Sequence, residues 1–281
     1  MLIVGLAIML YPSFSDWWNK NKASHVISSY QEAVADLSEE DYSAILNSAY
    51  EYNRKLAGLY APFTNYQEID GYEDILNLSG SGIIGYISIP QIRIELPVYH
   101  GTSEDVLNVA AGHLQGSSFP VGGKNTHAVI SAHRGLPSAK LFTDLDQLVE
   151  GDTFTINVLG EVLTYEVETI LTVKPEEIDK LAIIPESDYV TLMTCTPYGV
   201  NTHRMLLRSH RIETEHHYDG KVLADAVKID PILAVPAISA PLVVLLIIYW
   251  AVGKRRKPQI TGRRAFEKFM ENKKSEQQKN P

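Results

Sequence analysis

Residues 189–199 read YVTLMTCTPYG, and residues 127–135 read HAVISAHRG. Each segment begins with apolar and β-branched residues typical of a buried strand and ends in proline or glycine, which marks a turn. The first strand ends at Cys195 and the second at His133. If both strands end at the same rim of a sheet, a thiol and an imidazole come together there.

Further short runs of the same character follow one another along the central part of the chain. They cover residues 83–89, 92–98, 153–158, 162–173 and 204–212, with turn-forming glycines between them. Seven or eight short strands at this spacing predict a mainly β fold that closes, or nearly closes, into a barrel. Short helical inserts are expected at 141–148 and 175–181.

The N-terminal part has a different pattern. Residues 24–59 carry apolar side chains at helical spacing and predict two helices. Pro62 makes a continuing helix unfavourable, so residues 60–66 are expected to form an exposed connecting segment. Residues 1–11 are apolar, end at Pro12 and are too few to span a bilayer, which is typical of part of a signal sequence or anchor.

The C-terminal part predicts a membrane helix. Residues 231–252 are 22 residues without a charge, and the basic cluster 254–257 follows directly. A bilayer core needs about 20 apolar residues, and basic clusters stay in the cytoplasm, so the preceding domain is expected to face outward. A buried core helix is the alternative interpretation, but a helix of this length without a polar face is rare in a domain of this size.

Charge and cysteine content exclude several classes of protein. The net charge is −9, but residues 253–281 alone carry +7, so the remainder carries −16. An acidic outer domain is unsuited to nucleic acid, whereas the basic tail suits either anionic lipid or plain solvation.

Cys195 is the single cysteine, so no disulfide forms within the chain. No metal-ligand spacing is present, and no metal or cofactor is expected.

Three residue types suggest a cysteine nucleophile with a general base and an oxyanion stabiliser. The thiolate of Cys195 is the reactive form, and the imidazole of His133 is suited to take the thiol proton and return it to a leaving amine. The tetrahedral oxyanion needs a fixed donor, and a guanidinium is always charged. Arg204 lies nine residues after Cys195 across a predicted hairpin. Arg208 shares its strand face and is ranked second, as a surface or support residue.

Longer motifs around these residues resemble a known family. TLMTC at 191–195 resembles the TLxTC motif of the sortases, and SAHRGLPSAKLF at 131–142 and TCTPYGVNTHR at 194–204 are similar to the class C, pilin-polymerising branch. The resemblance covers about residues 24–253. It implies an eight-stranded barrel with Cys195, His133 and Arg204 as catalytic residues, and Thr194 of the motif is expected to contact the substrate.

The resemblance also implies a reaction and partners. Enzymes of this branch cleave an LPxTG-like sorting signal between Thr and Gly, hold the acyl part as a thioester, and transfer it to a lysine of the next pilin subunit. The implied partners are pilin subunits and the membrane, with no nucleic acid and no cofactor. A housekeeping sortase that uses a cell-wall precursor is the alternative enzyme. A membrane-tethered adhesin or scaffold with an inert Cys195 is the non-catalytic alternative.

One segment departs from the family pattern. The branch covers its active site with a lid that carries an Asp-Pro-aromatic motif, whose Asp pairs with the catalytic arginine. Here the segment reads Ala61, Pro62, Phe63. Phe63 is therefore expected to cap Cys195, whereas Ala61 cannot hold Arg204, and the lid is expected to open more readily. An ordinary exposed loop is the alternative.

The predicted organisation has six parts. They are an apolar segment at 1–12, a helical region with the lid at 13–78, the catalytic barrel at 79–215, a linker at 216–230, a transmembrane helix at 231–252 and a basic cytoplasmic tail at 253–281.

Overall fold

The structure is a computed structural model that describes residues 2–214 and 262–277. The chain forms two compact units, residues 1–220 and 221–281. The predicted linker at 216–230 and the predicted transmembrane helix at 231–252 lie outside the described residues. Within the two described ranges, no helix combines the length and the apolar character that a bilayer crossing requires.

Five α-helices are described: α1 (Leu2–Ala35), α2 (Glu39–Ala57), α3 (Pro62–Asn65), α4 (Glu104–Leu107) and, in the second unit, α5 (Gly262–Gln277). Single 3-10 turns occupy Tyr66–Glu68, Pro90–Ile92, Leu145–Gln147 and Ile178–Leu181. The last two turns fall inside the segments predicted as helical inserts, which are therefore shorter than expected.

Helix α1 has 34 residues and runs through Pro12, the last residue of the predicted apolar segment. A proline inside a helix removes one backbone hydrogen bond and clashes with the preceding turn, at a cost of about 3 kcal/mol, so other contacts must stabilise the helix. The later turns of α1 are fixed to the barrel: the Tyr30 hydroxyl donates to Ile84 O (3.2 Å) and accepts from Leu159 N (2.8 Å). Tertiary contacts thus support the helix beyond what its local sequence predicts.

Helix α2 begins where the sequence has a helix cap. The Ser38 hydroxyl accepts from Asp41 N (3.1 Å), and the first turn is acidic, which suits the helix dipole. Inside the helix, the Asn53 side chain donates to Phe119 O (3.0 Å) and accepts from Phe119 N (2.7 Å). This pair of buried hydrogen bonds attaches α2 to the loop between the third and fourth strands.

Eight strands form a closed barrel in the order β1-β2-β3-β4-β7-β8-β6-β5. They are β1 (Ile83–Ile89), β2 (Ile94–His100), β3 (Ala111–His113), β4 (Thr126–Ser131), β5 (Thr153–Val158), β6 (Glu161–Val173), β7 (Asp188–Thr196) and β8 (His203–Ile212). The predicted eight-stranded barrel with short helices and an N-terminal helical region is confirmed.

Strand β3 is the one that the sequence pattern did not reveal. It has three residues, too few to display an alternation of apolar and polar side chains. Its parallel pairing with β2 and antiparallel pairing with β4 define it. Strand β2 also starts two residues later than predicted, because the 3-10 turn Pro90–Ile92 precedes it.

Alternation along the strands separates two apolar regions. Ile130, Leu192 and Leu207 point into the main core inside the barrel. Their neighbours point outward into a second, smaller group, here called the outer cluster: Val129, Val173, Leu181 and Leu206, with Phe63, Leu114, Leu171 and Met193 packed against them. The outer cluster lies on the face of the barrel formed by β4, β7, β8 and β6.

Candidate active site

The register of three neighbouring strands brings the predicted catalytic residues together. Strand β4 runs parallel to β7 with Ser131 opposite Met193, and His133 and Cys195 each follow two residues later. Strands β7 and β8 are antiparallel, and Cys195 lies directly opposite Arg204. The three residues therefore occupy adjacent strand ends in the order His133, Cys195, Arg204.

All three also belong to the outer face of the barrel. Cys195 is two residues from Met193, and Arg204 is two residues from Leu206, and both of these neighbours contribute to the outer cluster. Because side chains alternate along a strand, Cys195 and Arg204 share that face. His133 follows Ala132, which is still buried in the core, so His133 takes the same outward position.

Thr194, which was expected to contact the substrate, lies beneath the strand ends. The residue is 1% exposed, and its hydroxyl donates to Ala132 O (2.9 Å). The alternation that points Cys195 outward points Thr194 into the barrel. The hydrogen bond joins the ends of β7 and β4 immediately below Cys195 and His133.

Arg204 is half-buried, and its Nη1 donates to two carbonyls of the β7–β8 hairpin, Asn201 O (3.3 Å) and His203 O (3.2 Å). Among residues 2–214, no carboxylate forms an ion pair with it. Arg208 instead pairs with Glu168 (3.3 Å) and lies 5.3 Å from the Tyr189 ring centroid. These contacts fit the support role predicted for Arg208.

The loop after His133 contains a cluster that sequence analysis missed. The Arg134 guanidinium forms an ion pair with Asp146 and lies 5.7 Å from the ring centroid of Tyr198. A Cβ added at Gly135 would lie 3.0 Å from the Tyr198 ring, and Gly135 has a φ of +78°. The cluster therefore joins the loop after His133 to the loop after Cys195. Its only sequence signal was the pair of motifs that contain Arg134 and Tyr198.

The predicted lid lies against the outer face. It is not a fully exposed connecting segment, because Pro62 starts the short helix α3 and Phe63 is half-buried in the outer cluster. Gly116 lies so close that an added Cβ would be 3.0 Å from Phe63 Cα and 3.2 Å from its ring. Ala61 is exposed with a φ of 48°, in the left-handed region. Phe63 thus covers the apolar surface that adjoins the predicted catalytic residues.

Two other histidines in the barrel are structural. His113 is fully buried between the Tyr72 hydroxyl (2.9 Å) and Ser118 O (2.8 Å), and burial lowers its pKa to about 4. His127 lies between Ala182 O (2.9 Å) and the Thr191 hydroxyl (2.7 Å), and burial also lowers its pKa. His133, by contrast, is only half-buried. In the described part of the chain, no group of three His, Cys, Asp or Glu side chains could hold a metal ion.

Comparisons with known proteins agree with this architecture. The family model of the sortase domain matches residues 87–212. Sortase A of Streptococcus agalactiae serotype III (strain NEM316) is 28% identical over 203 residues, covering 70% of this chain and 75% of that protein. The crystal structure of sortase C1 from Streptococcus agalactiae is 47% identical with a TM-score of 0.63, covering 68% of this chain and all of that chain.

A second similar structure is Clostridium perfringens sortase C with the C-terminal cell wall sorting motif, at 42% identity and a TM-score of 0.60, covering 68% of this chain and all of that chain. Together, the barrel and these matches define a cysteine transpeptidase that acts on sorting signals. The chain belongs to the sortase family, and within that family to class C.

Proposed function

We propose that this protein cleaves an LPxTG-like sorting signal between Thr and Gly and joins the new carboxyl end to a lysine amine of a pilin subunit. The observation that carries the proposal is the convergence of Cys195, His133 and Arg204 at adjacent strand ends beside the outer cluster. The similarity to class C sortases, one of them solved with a sorting motif, supports the donor substrate.

In the first half-reaction, His133 takes the proton of Cys195, and the thiolate attacks the threonine carbonyl carbon. The carbonyl oxygen becomes an oxyanion, which Arg204 stabilises with its guanidinium N–H groups. Collapse of this intermediate breaks the C–N bond. His133 gives its proton to the leaving glycine amine, and the acyl part remains on the sulfur as a thioester.

In the second half-reaction, the acceptor amine attacks the thioester carbonyl. A new C–N bond forms, the C–S bond breaks, and His133 carries the proton that the amine loses back to the sulfur. Arg204 stabilises the oxyanion a second time. The outcome is an isopeptide bond and a free Cys195 thiol, so no oxidant, reductant or cofactor is consumed.

The lid conformation suits a donor site that must be uncovered first. Phe63 packs on the outer cluster, which offers the apolar surface that the Leu and Pro side chains of a sorting signal need. Ala61 provides no carboxylate for Arg204, so an apolar contact holds the lid. We therefore propose that the sorting signal displaces Phe63 without having to break an ion pair.

The location of the reaction is also part of the proposal. Sortases are generally membrane-associated enzymes with extracellular catalytic domains. The uncharged segment 231–252 followed by basic residues supports a C-terminal membrane helix, with the barrel outside and the basic tail in the cytoplasm.

The experiment that tests the function is capture of the thioester. The full chain is incubated with a panel of LPxTG-like peptides, and intact-mass spectrometry is expected to find the acyl fragment on Cys195. Cys195→Ala should lose both the adduct and the covalent pilus ladders in cells, whereas Thr196→Ala, the neighbouring control, should keep them. Ladders that persist with Cys195→Ala as the only pilus sortase would overturn the proposal.

A second acceptor must be tested because the sortase A relative matches 70% of this chain. Wall anchoring would use the same donor, thioester and catalytic residues, with a cell-wall precursor amine as the acceptor. Purified enzyme offered equal concentrations of a pilin lysine peptide and a wall-precursor amine is expected to join the lysine peptide faster. The reverse preference would favour the anchoring function.

A further inference from the structure

A groove opens between the N-terminal half of α1 and the loop that follows His133. We call it the α1 groove; its volume is about 480 Å³. The lining residues used below are Ser13 and Asp16 from the helix, Gly135, Leu136 and Lys140 from the loop, and Tyr198 from the β7–β8 hairpin. None of these residues belongs to the outer cluster or to the lid residues 61–63.

The α1 groove and the outer cluster are lined by different residues. The outer cluster, covered by Phe63, extends along the bodies of the strands. The α1 groove is formed by the loops beyond the strand ends: Gly135 comes two residues after His133, and Tyr198 comes three residues after Cys195. One surface is therefore built by the strand bodies and the other by the loops after His133 and Cys195, and Phe63 of the lid covers the surface along the strands.

The chemistry of the second half-reaction requires a particular direction of approach. One imidazole protonates the leaving amine in the first half-reaction and accepts the proton of the incoming amine in the second. Both amines must therefore pass on the side of His133, while the acyl part stays on the outer cluster. The α1 groove is lined by Gly135 and Leu136 of the loop after His133, and it shares no residue with the outer cluster.

The walls of the α1 groove are held in place before any substrate binds. The Asp16 carboxylate accepts from Lys140 N (2.9 Å), and the Asn19 side chain donates to Ser138 O (2.7 Å). Both bonds connect α1 to the loop after His133. The ring of Tyr198 packs closely on Gly135. A preformed groove of this kind reduces the entropic cost of binding a flexible chain.

The lining also has the chemistry to bind a lysine side chain. The Asp16 carboxylate is 28% exposed and already binds one ammonium group, that of the exposed Lys20 (2.8 Å), so an acceptor ammonium binds there in exchange for Lys20. Tyr198 is 60% exposed and presents an aromatic surface to the four-carbon stem of a lysine. Leu136 adds an apolar contact.

We propose that the α1 groove binds the peptide segment that carries the acceptor lysine and directs its amine to the thioester. This inference rests on the proposed function, because it names the site of the second substrate of that reaction. In that step the amine nitrogen forms the new C–N bond, the C–S bond breaks, and His133 returns the proton to the sulfur.

The test blocks the groove and separates the two half-reactions. Ser13→Trp in the full chain fills the groove from an exposed position of α1, and Ser29→Trp makes the same change at an exposed serine elsewhere on the helix. With Ser13→Trp, we expect the KM for a lysine acceptor peptide to rise at least tenfold while the rate of acyl-enzyme formation stays within twofold. Ser29→Trp should match the wild type.

A small nucleophile provides the internal control. Hydroxylamine needs no groove, so its rate of thioester capture should be the same in the wild type and in Ser13→Trp. Asp16→Asn keeps an oxygen for the Lys140 N–H but removes the charge, and we expect a severalfold rise in the KM for the acceptor peptide. An unchanged acceptor KM in both variants, or an equal loss of hydroxylamine capture, overturns the inference.

These outcomes are distinguishable from a failure of the proposed function. If the wild type forms no acyl-enzyme with any sorting peptide, the proposed function is wrong. If the wild type forms the thioester and transfers it to lysine, but the two groove variants do so with normal KM, only the α1 groove assignment is wrong.

Discussion

At the scale of single residues, the site depends on buried side chains that join its strands. Thr194 is the clearest case, because its hydroxyl joins β7 to Ala132 O just below Cys195 and His133. A sequence motif identifies such a residue as important, but only the direction of its side chain tells whether it binds substrate or positions its neighbours.

Thr194→Val tests this positioning role. The change preserves shape but leaves the buried Ala132 carbonyl without a partner, and an unsatisfied buried group costs about 1–3 kcal/mol. We expect a loss of that size in the free energy of unfolding, measured with urea, together with slower acyl-enzyme formation. Thr196→Val, at a half-buried position on the same strand, is the control. Normal stability in Thr194→Val would contradict the assignment.

Ala61 tests how the lid is held. Its φ of 48° is in a region that Asp and Asn tolerate better than Ala, so both substitutions suit the backbone. We expect Ala61→Asp to slow acylation about tenfold relative to Ala61→Asn, because a carboxylate beside Arg204 would latch the lid. An ion pair at the surface is screened by salt, so the difference should shrink at high ionic strength. Equal acylation rates for the two variants would show that a carboxylate at position 61 does not hold the lid closed.

At the scale of elements, the helices act as supports for the loops around the site. Helix α1 is bonded to the loop after His133, and α2 is bonded through Asn53 to the loop that precedes β4. The sequence predicts amphipathic helices in this region, but it does not specify which loop each helix contacts.

Asn53→Ala tests the link between α2 and the barrel. The substitution removes both hydrogen bonds to the Phe119 backbone and leaves a buried N–H and a buried carbonyl unpaired. We expect a loss of roughly 2–4 kcal/mol in the free energy of unfolding. Asn47→Ala changes an exposed asparagine of the same helix and should cost less than about 0.5 kcal/mol. If both variants lose a similar amount of unfolding free energy, the two hydrogen bonds between Asn53 and Phe119 contribute little.

At the scale of the whole molecule, a buried histidine couples folding to pH. His113 packs parallel to Phe119 with ring centroids 4.9 Å apart, and burial lowers its pKa from 6.5 to about 4. Between those pH values the unfolded chain binds a proton that the folded chain does not. The free energy of unfolding is therefore not reduced by His113 above pH 6.5, and it decreases as the pH falls from 6.5 towards 4.

The expected loss across that pH range is about 3 kcal/mol from His113 alone. Urea unfolding at pH 7, 5.5 and 4.5 measures it. His113→Gln removes the titrating group, so its free energy of unfolding, although lower at pH 7, should depend less on pH. His25→Gln, at an exposed position of α1, should follow the wild type. If the free energy of unfolding of His113→Gln depends on pH as strongly as that of the wild type, the prediction is wrong.

Most of the barrel was readable from the sequence because its strands alternate between core and surface. Seven of the eight strands appear as apolar or alternating runs, and Cys195, His133 and Arg204 follow from chemistry and motif. Strand β3 was missed because three residues are too few to show an alternation of apolar and polar side chains. The helix α1 through Pro12 was missed because contacts with the barrel, such as those of Tyr30, support it.

The sequence by itself determined the type of fold and predicted a nucleophile, a general base and an oxyanion stabiliser, since strand periodicity and side-chain chemistry are local properties. Only the tertiary structure decided that Thr194 points inward, that Phe63 covers the outer cluster, and that a groove between α1 and the loop after His133 adjoins the site. Those features depend on strand register and on contacts between residues far apart in the chain, and local sequence patterns do not encode such distances.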